Sequence, residues 1–285
     1  MRERREYHLN HRLNKEVIRM CELFGYFGEG ERDITSHLGE FFSHSVEHPQ
    51  GWGLAAANHS RVNVEKEPLR AIDSAYLKSR LASGVKTSIA IAHIRLATAG
   101  ATSYGNCHPF TATDATGRTW TLAHNGTILA AAELEHFRGE QSGSTDSERI
   151  LLYLVSKIDE ATAAAGHALT AEERFRALDA AIAALCVSNN KVNLLVYDGE
   201  QLYAHCNFAS SLHVCRDEHG VFFSTHALSR GTWTQLPLNT LVAYAPGNLT
   251  RVGRKRGCES FQTAATIEAW QRANAAGKQG TAHIA

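Results

Sequence analysis

The sequence predicts an α+β layered domain, and three observations carry that prediction. Apolar stretches of strand length fill the first and last parts of the chain, two long amphipathic helical patterns are grouped between them, and no internal repeat is visible. Helices gathered between runs of mostly antiparallel strands suit stacked layers rather than a βαβ alternation. The 285 residues, 44% hydrophobic, suffice for one large core. A chain of this size buries roughly three quarters of its unfolded surface and needs no disulfide staples.

The elements follow in order. Residues 1–20 are polar and charged, and the character changes abruptly at Met20-Cys21. Residues 21–26 read as a first strand, 35–46 as a helix and 51–57 as a second strand opened by glycine. Residues 74–81 read as a short helix, and 87–96 as a buried strand with a continuous apolar centre. A loop rich in Gly, Ser, Thr and Asn spans 97–106. Residues 120–124 form a short strand that ends in the turn signal Asn125-Gly126. Ser144-Thr145-Asp146-Ser147-Glu148 resembles a helix start, with Ser or Thr as cap, and that helix runs to about residue 158. Residues 171–187 are an Ala-rich amphipathic helix. From Lys191 the pattern turns to strands at 192–197, 202–206, 212–215, 221–225 and 241–244, the first two joined by the hairpin signal Asp198-Gly199. A modest helix near 267–273 and a polar tail at 277–280 close the chain.

Composition excludes several classes. Lys plus Arg and Asp plus Glu both number 29, which favours neither nucleic acid nor an anionic membrane as partner. No run of 18 apolar residues exists, so no membrane span is expected. The first 20 residues carry six basic and three acidic groups without an apolar core, unlike a secretory signal. The six cysteines form no C-x-x-C pair and read as reduced thiols in a cytoplasmic protein.

Four places can carry chemistry. Cys21 directly follows a methionine, and its small side chain would permit methionine removal. A free N-terminal Cys holds nucleophile and base in one residue, because an α-amine with a pKa of roughly 7.7–8.0 can take the thiol proton. The plain alternative is a small buried residue at a strand start. Arg95 ends an apolar strand, where an unpaired charge is costly. Its planar guanidinium suits a carboxylate, either of a substrate or of a structural salt bridge. Asn125 and Gly126 offer an amide donor and an exposed backbone N–H, a pair able to hold a tetrahedral oxyanion, or else an ordinary hairpin turn. Asp146 at a helix entrance can receive an ammonium group or cap the helix.

Taken in order, Cys21-Glu-Leu-Phe-Gly25, Gly51-Trp-Gly53, Ala92-His-Ile-Arg-Leu-Ala-Thr98, Asn106-Cys-His-Pro-Phe110, Ala123-His-Asn-Gly126 and Ser144-Thr-Asp-Ser-Glu148 resemble the class II glutamine amidotransferases, members of the N-terminal-nucleophile (Ntn) hydrolases. The likeness is greatest to small stand-alone members without a synthase domain. Phe223-Ser-Thr-His-Ala-Leu228 with Trp233 extends it to about residue 252. The resemblance implies a four-layer αββα sandwich. It implies Cys21 as nucleophile, Asn125 and Gly126 as oxyanion hole, and Arg95, Thr98 and Asp146 as substrate-binding residues. In that scheme Arg95 takes the α-carboxylate of glutamine and Asp146 its α-ammonium group. It implies an extension or propeptide at 1–20, an amidotransferase domain at 21–258, and a C-terminal helix and tail at 259–285. Two departures stand out: 20 residues precede the nucleophile, and Gln50 occupies the place of an acidic residue before Gly51-Trp-Gly53.

The expected reaction is cleavage of the γ-amide of glutamine through a γ-glutamyl thioester, with neither metal nor organic cofactor. Its partners are a small-molecule substrate and a separate synthase chain that accepts ammonia, with neither nucleic acid nor membrane. A γ-glutamyl amide hydrolase acting on a pathway intermediate uses the same residues, and a non-catalytic glutamine-binding subunit is the third reading. His205, Cys206, His213 and Cys215 invite a zinc hypothesis, but His205 and Cys206 alternate faces of their strand, which argues against it. Cys107-His108 reads as a loop near the active site rather than a second catalytic pair. The basic run 251–256 reads as solvated surface.

Overall fold

The computed structural model describes residues 20–58 and 61–281. The extension at 1–19 lies outside the described residues. Residues Met20–Gln262 make one compact unit.

Two antiparallel sheets form its centre. The first holds β1 (Glu22–Asp33), β2 (Trp52–Asn58), β3 (Arg61–Glu67), β4 (Lys86–Ile94), β9 (His213–Asp217), β10 (Gly220–Ser224) and β11 (Thr234–Gln235), in the order β11-β9-β10-β1-β4-β2-β3. The second holds β5 (Phe110–Thr113), β6 (Thr119–Asn125), β7 (Asn193–Tyr197), β8 (Leu202–His205), β12 (Val242–Ala245) and β13 (Asn248–Val252), in the order β13-β12-β8-β7-β6-β5. Helices α1 (Thr35–Ser43) and α2 (Ala75–Ala82) belong to the first sheet, and α3 (Asp146–Ala165) and α4 (Ala171–Leu185) to the second. Outside the compact unit, α5 runs Ala264–Thr281.

The period-2 alternation of the strands builds three cores. On β1 and β4, Leu23, Phe27, Ile89 and Ile91 face the second sheet, where they share a core with Ala123, Leu195 and Val242. Their neighbours Phe24, Tyr26, Ala90 and Ala92 face outward onto Leu38, Phe41, Phe42 and Leu77 of α1 and α2. On the far side Trp120, Leu122, Leu194 and Val196 pack against Ile150, Leu154, Leu178 and Ile182 of α3 and α4. The result is helix, sheet, sheet, helix: the four-layer αββα sandwich.

Local chemistry sets the helix ends. Ser74 caps α2 by accepting the Leu77 N–H at 2.9 Å. Thr145 caps α3 by accepting from Glu148 N at 3.4 Å, and Gly166, at φ 72°, ends it. Thr170 and Glu173 form a reciprocal capping box on α4.

Some boundaries differ from the sequence reading. The stretch 35–46 divides into α1 and a 3-10 turn at His44–Glu47. α3 continues to Ala165 instead of stopping near 158, because its last turns carry alanines that propagate a helix without needing burial. The segment 277–280, read as a tail, is part of α5. β3, β5, β11 and β13 were not legible: β3 is a polar edge strand, paired on one side only to β2 from Trp52↔Glu67 to Asn58↔Arg61.

Candidate active site

Four element ends meet at one edge of the sandwich. Cys21 precedes β1, Arg95 follows β4, Asn125 closes β6 and Asp146 opens α3. The antiparallel pairing Glu22↔Ile94 puts the first two side by side. Thr225 joins the sheets there, because its hydroxyl oxygen accepts from Leu23 N at 2.9 Å and from Asn125 Nδ2 at 3.3 Å.

The Cys21 thiol donates to Leu96 O at 3.3 Å and lies 3.4 Å from Leu96 N–H. Burial pushes its pKa up; the Leu96 amide and the charges of Arg95 and Lys191 pull it back, and Asp146 opposes them. One residue earlier, His48 Nε2 donates to the carbonyl of Met20 at 2.8 Å. The neighbouring Glu22 carboxylate binds His44 Nδ1 at 2.8 Å and raises the pKa of that ring.

Asn125 is oriented by a residue that the sequence reading treated only as a boundary. Lys191 Nζ lies 3.2 Å from Asn125 Oδ1. An ammonium group only donates, so Oδ1 faces Lys191, and Nδ2 keeps one of its two hydrogens beyond the Thr225 bond. Lys191 is buried, 4.8 Å above the Phe208 ring and 3.1 Å from Met20 Sδ, and burial lowers its pKa to about 8. At Gly126 a Cβ would lie 2.0 Å from Lys191 O and 2.5 Å from His124 Nε2. Close packing therefore demands glycine there, quite apart from the exposed N–H of a turn. Gly53 is constrained in the same way, since a Cβ would come within 1.9 Å of His108 O.

Arg95 is 2% exposed. Its guanidinium donates to Ala99 O at 2.7 Å, to Gly100 O and Ala101 O at 3.2 Å, and to Gln50 O at 3.4 Å. It makes no ion pair with a carboxylate among the described residues. Four carbonyls organise the loop 97–101 around the guanidinium while its charge stays unneutralised. Gln50 supports the same loop, its Oε1 accepting from Ala97 N at 2.6 Å. An acceptor is what this place uses, and the amide oxygen supplies it. Thr98 Oγ1 lies 3.0 Å from Thr127 Oγ1. Asp146 does not cap α3, since Thr145 does; its carboxylate accepts from Ile128 N at 2.7 Å and from Ser147 Oγ at 3.3 Å.

The remaining candidates form no site of their own. Cys107 donates to Ser103 O at 3.3 Å and Glu67 O at 3.4 Å, and His108 packs against His93 with ring centroids 3.9 Å apart and planes tilted by 50°, so the two side chains do not form a pair. His213 Nδ1 donates to Thr225 O and Cys206 Sγ to Phe208 O, so the zinc set drawn from neighbouring strands does not assemble. Of the basic run, Arg251 pairs with Glu172 and Arg256 with Asp179, each at 2.5 Å, so these two are anchored rather than simply solvated. Lys191, Thr225 and His48 went unassigned by sequence reasoning. Thr225 lay inside a family-like segment, whereas the other two carried no local signal.

Comparison with known proteins identifies the family. The family model for class II glutamine amidotransferases matches residues 20–219. An uncharacterised protein of Methanocaldococcus jannaschii is 37% identical over 141 residues, 50% of this chain and 39% of its own. The Escherichia coli protein YafJ is 28% identical over 191 residues, 66% of this chain and 73% of its own. The matched region thus spans well under half of the first of these relatives. Among solved structures, glutamine phosphoribosylpyrophosphate amidotransferase from B. subtilis superposes with a TM-score of 0.61 at 18% identity, over 83% of this chain and 50% of that one. A glutamine aminotransferase class-II domain protein from Silicibacter pomeroyi gives 0.53 at 19%, over 81% and 97%. These two likenesses bear on the fold alone, which is that of the Ntn-hydrolase amidotransferases. The family model spans more than half of the chain and takes in Cys21, Arg95, Asn125, Gly126 and Asp146; the chain belongs to the class II glutamine amidotransferases.

Proposed function

We propose that this chain hydrolyses the side-chain amide of glutamine through a γ-glutamyl thioester on Cys21, once Cys21 is the N-terminal residue of the chain. The observation that carries the reading is the meeting of Cys21, Asn125, Arg95 and Asp146 at one edge of the sandwich, with Thr225 bonding both β1 and Asn125. The free α-amine takes the thiol proton, which matters because burial raises the thiol's pKa. The thiolate attacks the γ-carbonyl. Asn125 Nδ2 and Gly126 N–H receive the oxyanion, the nitrogen leaves as ammonia, and water cleaves the thioester. Arg95, with Thr98 beside it, holds the α-carboxylate end, and Asp146 the α-ammonium end. Two opposite charges at fixed separation reject substrates lacking either. The domain at 21–258 carries this chemistry, and the ammonia goes to a synthase on a separate chain.

The test uses protein that begins at Cys21, incubated with glutamine. Ammonia release, and acid quenching that traps a γ-glutamyl adduct on Cys21 by intact mass, are the expected results. Cys21→Ala should abolish both while keeping the circular dichroism of the parent. Ammonia release at the parental rate by folded Cys21→Ala would overturn the assignment.

A further inference from the structure

At the C-terminal end of α4, three side chains from distant parts of the sequence converge. Cys186 is the residue that ends α4, His205 closes β8, and Cys258 lies in the chain after β13. Their ligand atoms lie within 4.8 Å of one another, and the Cys186 sulfur is 3.9 Å from His205 Nε2. Cys186 and His205 are buried and Cys258 is half-buried, and neither cysteine is in a disulfide. The sequence reading set His205 beside Cys206; the fold instead turns Cys206 onto Phe208 O and brings Cys186 and Cys258 to the imidazole.

The histidine's tautomer is fixed by its surroundings. His205 Nδ1 lies 2.7 Å from Val192 O. A carbonyl only accepts, so Nδ1 carries a proton and Nε2 of the neutral ring presents a lone pair toward the two sulfurs. A backbone carbonyl on the far nitrogen is the arrangement that orients ligating histidines generally. The Cys258 segment is also held in place: Asn207 Nδ2 donates to Cys258 O at 3.0 Å, and Arg256 N to Asn239 O at 2.9 Å. Asn239, with φ 58°, brings its Oδ1 to 3.8 Å from the Cys258 sulfur, beside the place of a fourth ligand.

We propose that Cys186, His205 and Cys258 bind a zinc(II) ion, with Asn239 Oδ1 or a water as fourth ligand. Two thiolates cancel the charge of a divalent ion, so the filled site is electrically neutral, which suits its burial. Tetrahedral zinc with bonds of about 2.3 Å to sulfur and about 2.0–2.1 Å to nitrogen sets sulfur and nitrogen about 3.6 Å apart. The 3.9 Å between Cys186 and His205 needs only a few tenths of an ångström of closure to reach that. The ion would clamp the segment after β13 onto α4 and β8. That segment reaches on to Gln262, whose Nε2 donates to Thr127 O at 2.7 Å, two residues from Asn125. The site's role is therefore structural.

Full-length protein purified under reductant, without chelator, should carry about one equivalent of zinc by elemental analysis. Cobalt(II) in its place should show thiolate-to-metal charge-transfer absorption. Competition with a chromophoric chelator should show zinc(II) affinity falling more than about 100-fold in Cys258→Ser, since loss of an outer-shell partner alone costs 10- to 100-fold. Cys258 is half-buried, so that variant should keep the parental circular dichroism; His205→Gln is the second variant, expected to lose affinity alike. Reduced wild-type protein that takes up no zinc(II), or that binds it no better than Cys258→Ser, would overturn the site. So would a Cys186–Cys258 disulfide found by peptide mapping when thiols are trapped at lysis.

Discussion

Lys191 sets the orientation of Asn125, and its position is one that hydrophobic patterning cannot reveal. A lysine at the head of an apolar run reads as the last polar residue of a loop, yet the fold buries it with its ammonium 3.2 Å from Asn125 Oδ1. Burial holds its pKa at about 8, below the value of about 10.4 in an unfolded chain. The unfolded state therefore binds more protons between those values. The charged lysine costs the fold about 3 kcal/mol below pH 8, a penalty that fades as pH rises to about 10.4. Lys191→Met should accordingly raise the denaturation midpoint near neutral pH, and the gain should vanish above about pH 10. The same variant frees the Asn125 amide to rotate, and should lower kcat/KM for glutamine by about 10- to 100-fold, the worth of one charged hydrogen bond. Equal stability of the two proteins at neutral pH would contradict the first expectation, and unchanged kcat/KM the second. Cys21, Arg95, Asn125, Gly126 and Asp146 could be placed at element ends from the sequence, by a preceding methionine, a lone charge closing an apolar run, a turn signal and a helix start, whereas the roles proposed for them came with the family resemblance. Their supports, Lys191, Thr225 and His48, come from distant segments, and only tertiary contact selects them.

At the scale of elements, one guanidinium holds three successive carbonyls of the loop 97–101, those of Ala99, Gly100 and Ala101. Arg95 reaches four carbonyls, counting that of Gln50, from a rigid planar fork. A lysine presents its donors from a single point and cannot span them. Arg95→Lys should thus speed hydrogen exchange of residues 97–101 and raise KM for glutamine by at least about tenfold, for a loss of roughly 1.5–3 kcal/mol. A variant that binds glutamine as the parent does would separate Arg95 from the substrate. The facing histidines give a second test. His93 on β4 and His108 ahead of β5 lie against each other with their rings tilted by 50°, buried and without hydrogen-bond partners on either ring nitrogen among the described residues, and burial pushes both well below the ordinary imidazole range. In the unfolded chain they titrate near 6.5. Their stability contribution is full above about pH 6.5 and drains as pH falls below it, by up to about 2.7 kcal/mol per pH unit for the two. Denaturant midpoints from about pH 7 to about pH 5 should show that slope, and His108→Leu should cut it by about half. Strands with apolar alternation on both faces were legible as strands. β3 was not, because an edge strand with one paired neighbour and a solvated face carries few apolar residues.

At the scale of the whole molecule, the grouping of elements gave a layered α+β domain, and the order of its four layers came with the family resemblance. The pairing of β1 with both β4 and β10 does not follow from grouping, because a strand at one end of the sequence finds partners far along it. That central place of β1 decides the final prediction. Cys21 is anchored at the head of the middle strand of its sheet, and Met20 ahead of it is buried, its carbonyl held by His48 and its sulfur 3.1 Å from Lys191. While the Met20–Cys21 peptide is intact, the Cys21 nitrogen is an amide without a basic lone pair and cannot take the thiol proton. Burial already raises that thiol, so the uncleaved chain lacks both a base and a thiolate near neutral pH. Met20 also occupies the space beside Lys191, the residue that orients Asn125 in the proposed oxyanion hole. Active protein should therefore begin at Cys21, through translation from Met20 and methionine removal or through cleavage of a longer precursor. Two forms should be compared by intact mass and by ammonia release from glutamine: one beginning at Met20, and the 285-residue chain. The first should lose its methionine and turn over glutamine. The second should be silent for as long as its mass retains residues 1–20. Turnover by a chain whose mass shows those residues still attached would remove the α-amine from the mechanism and require a side-chain base in its place.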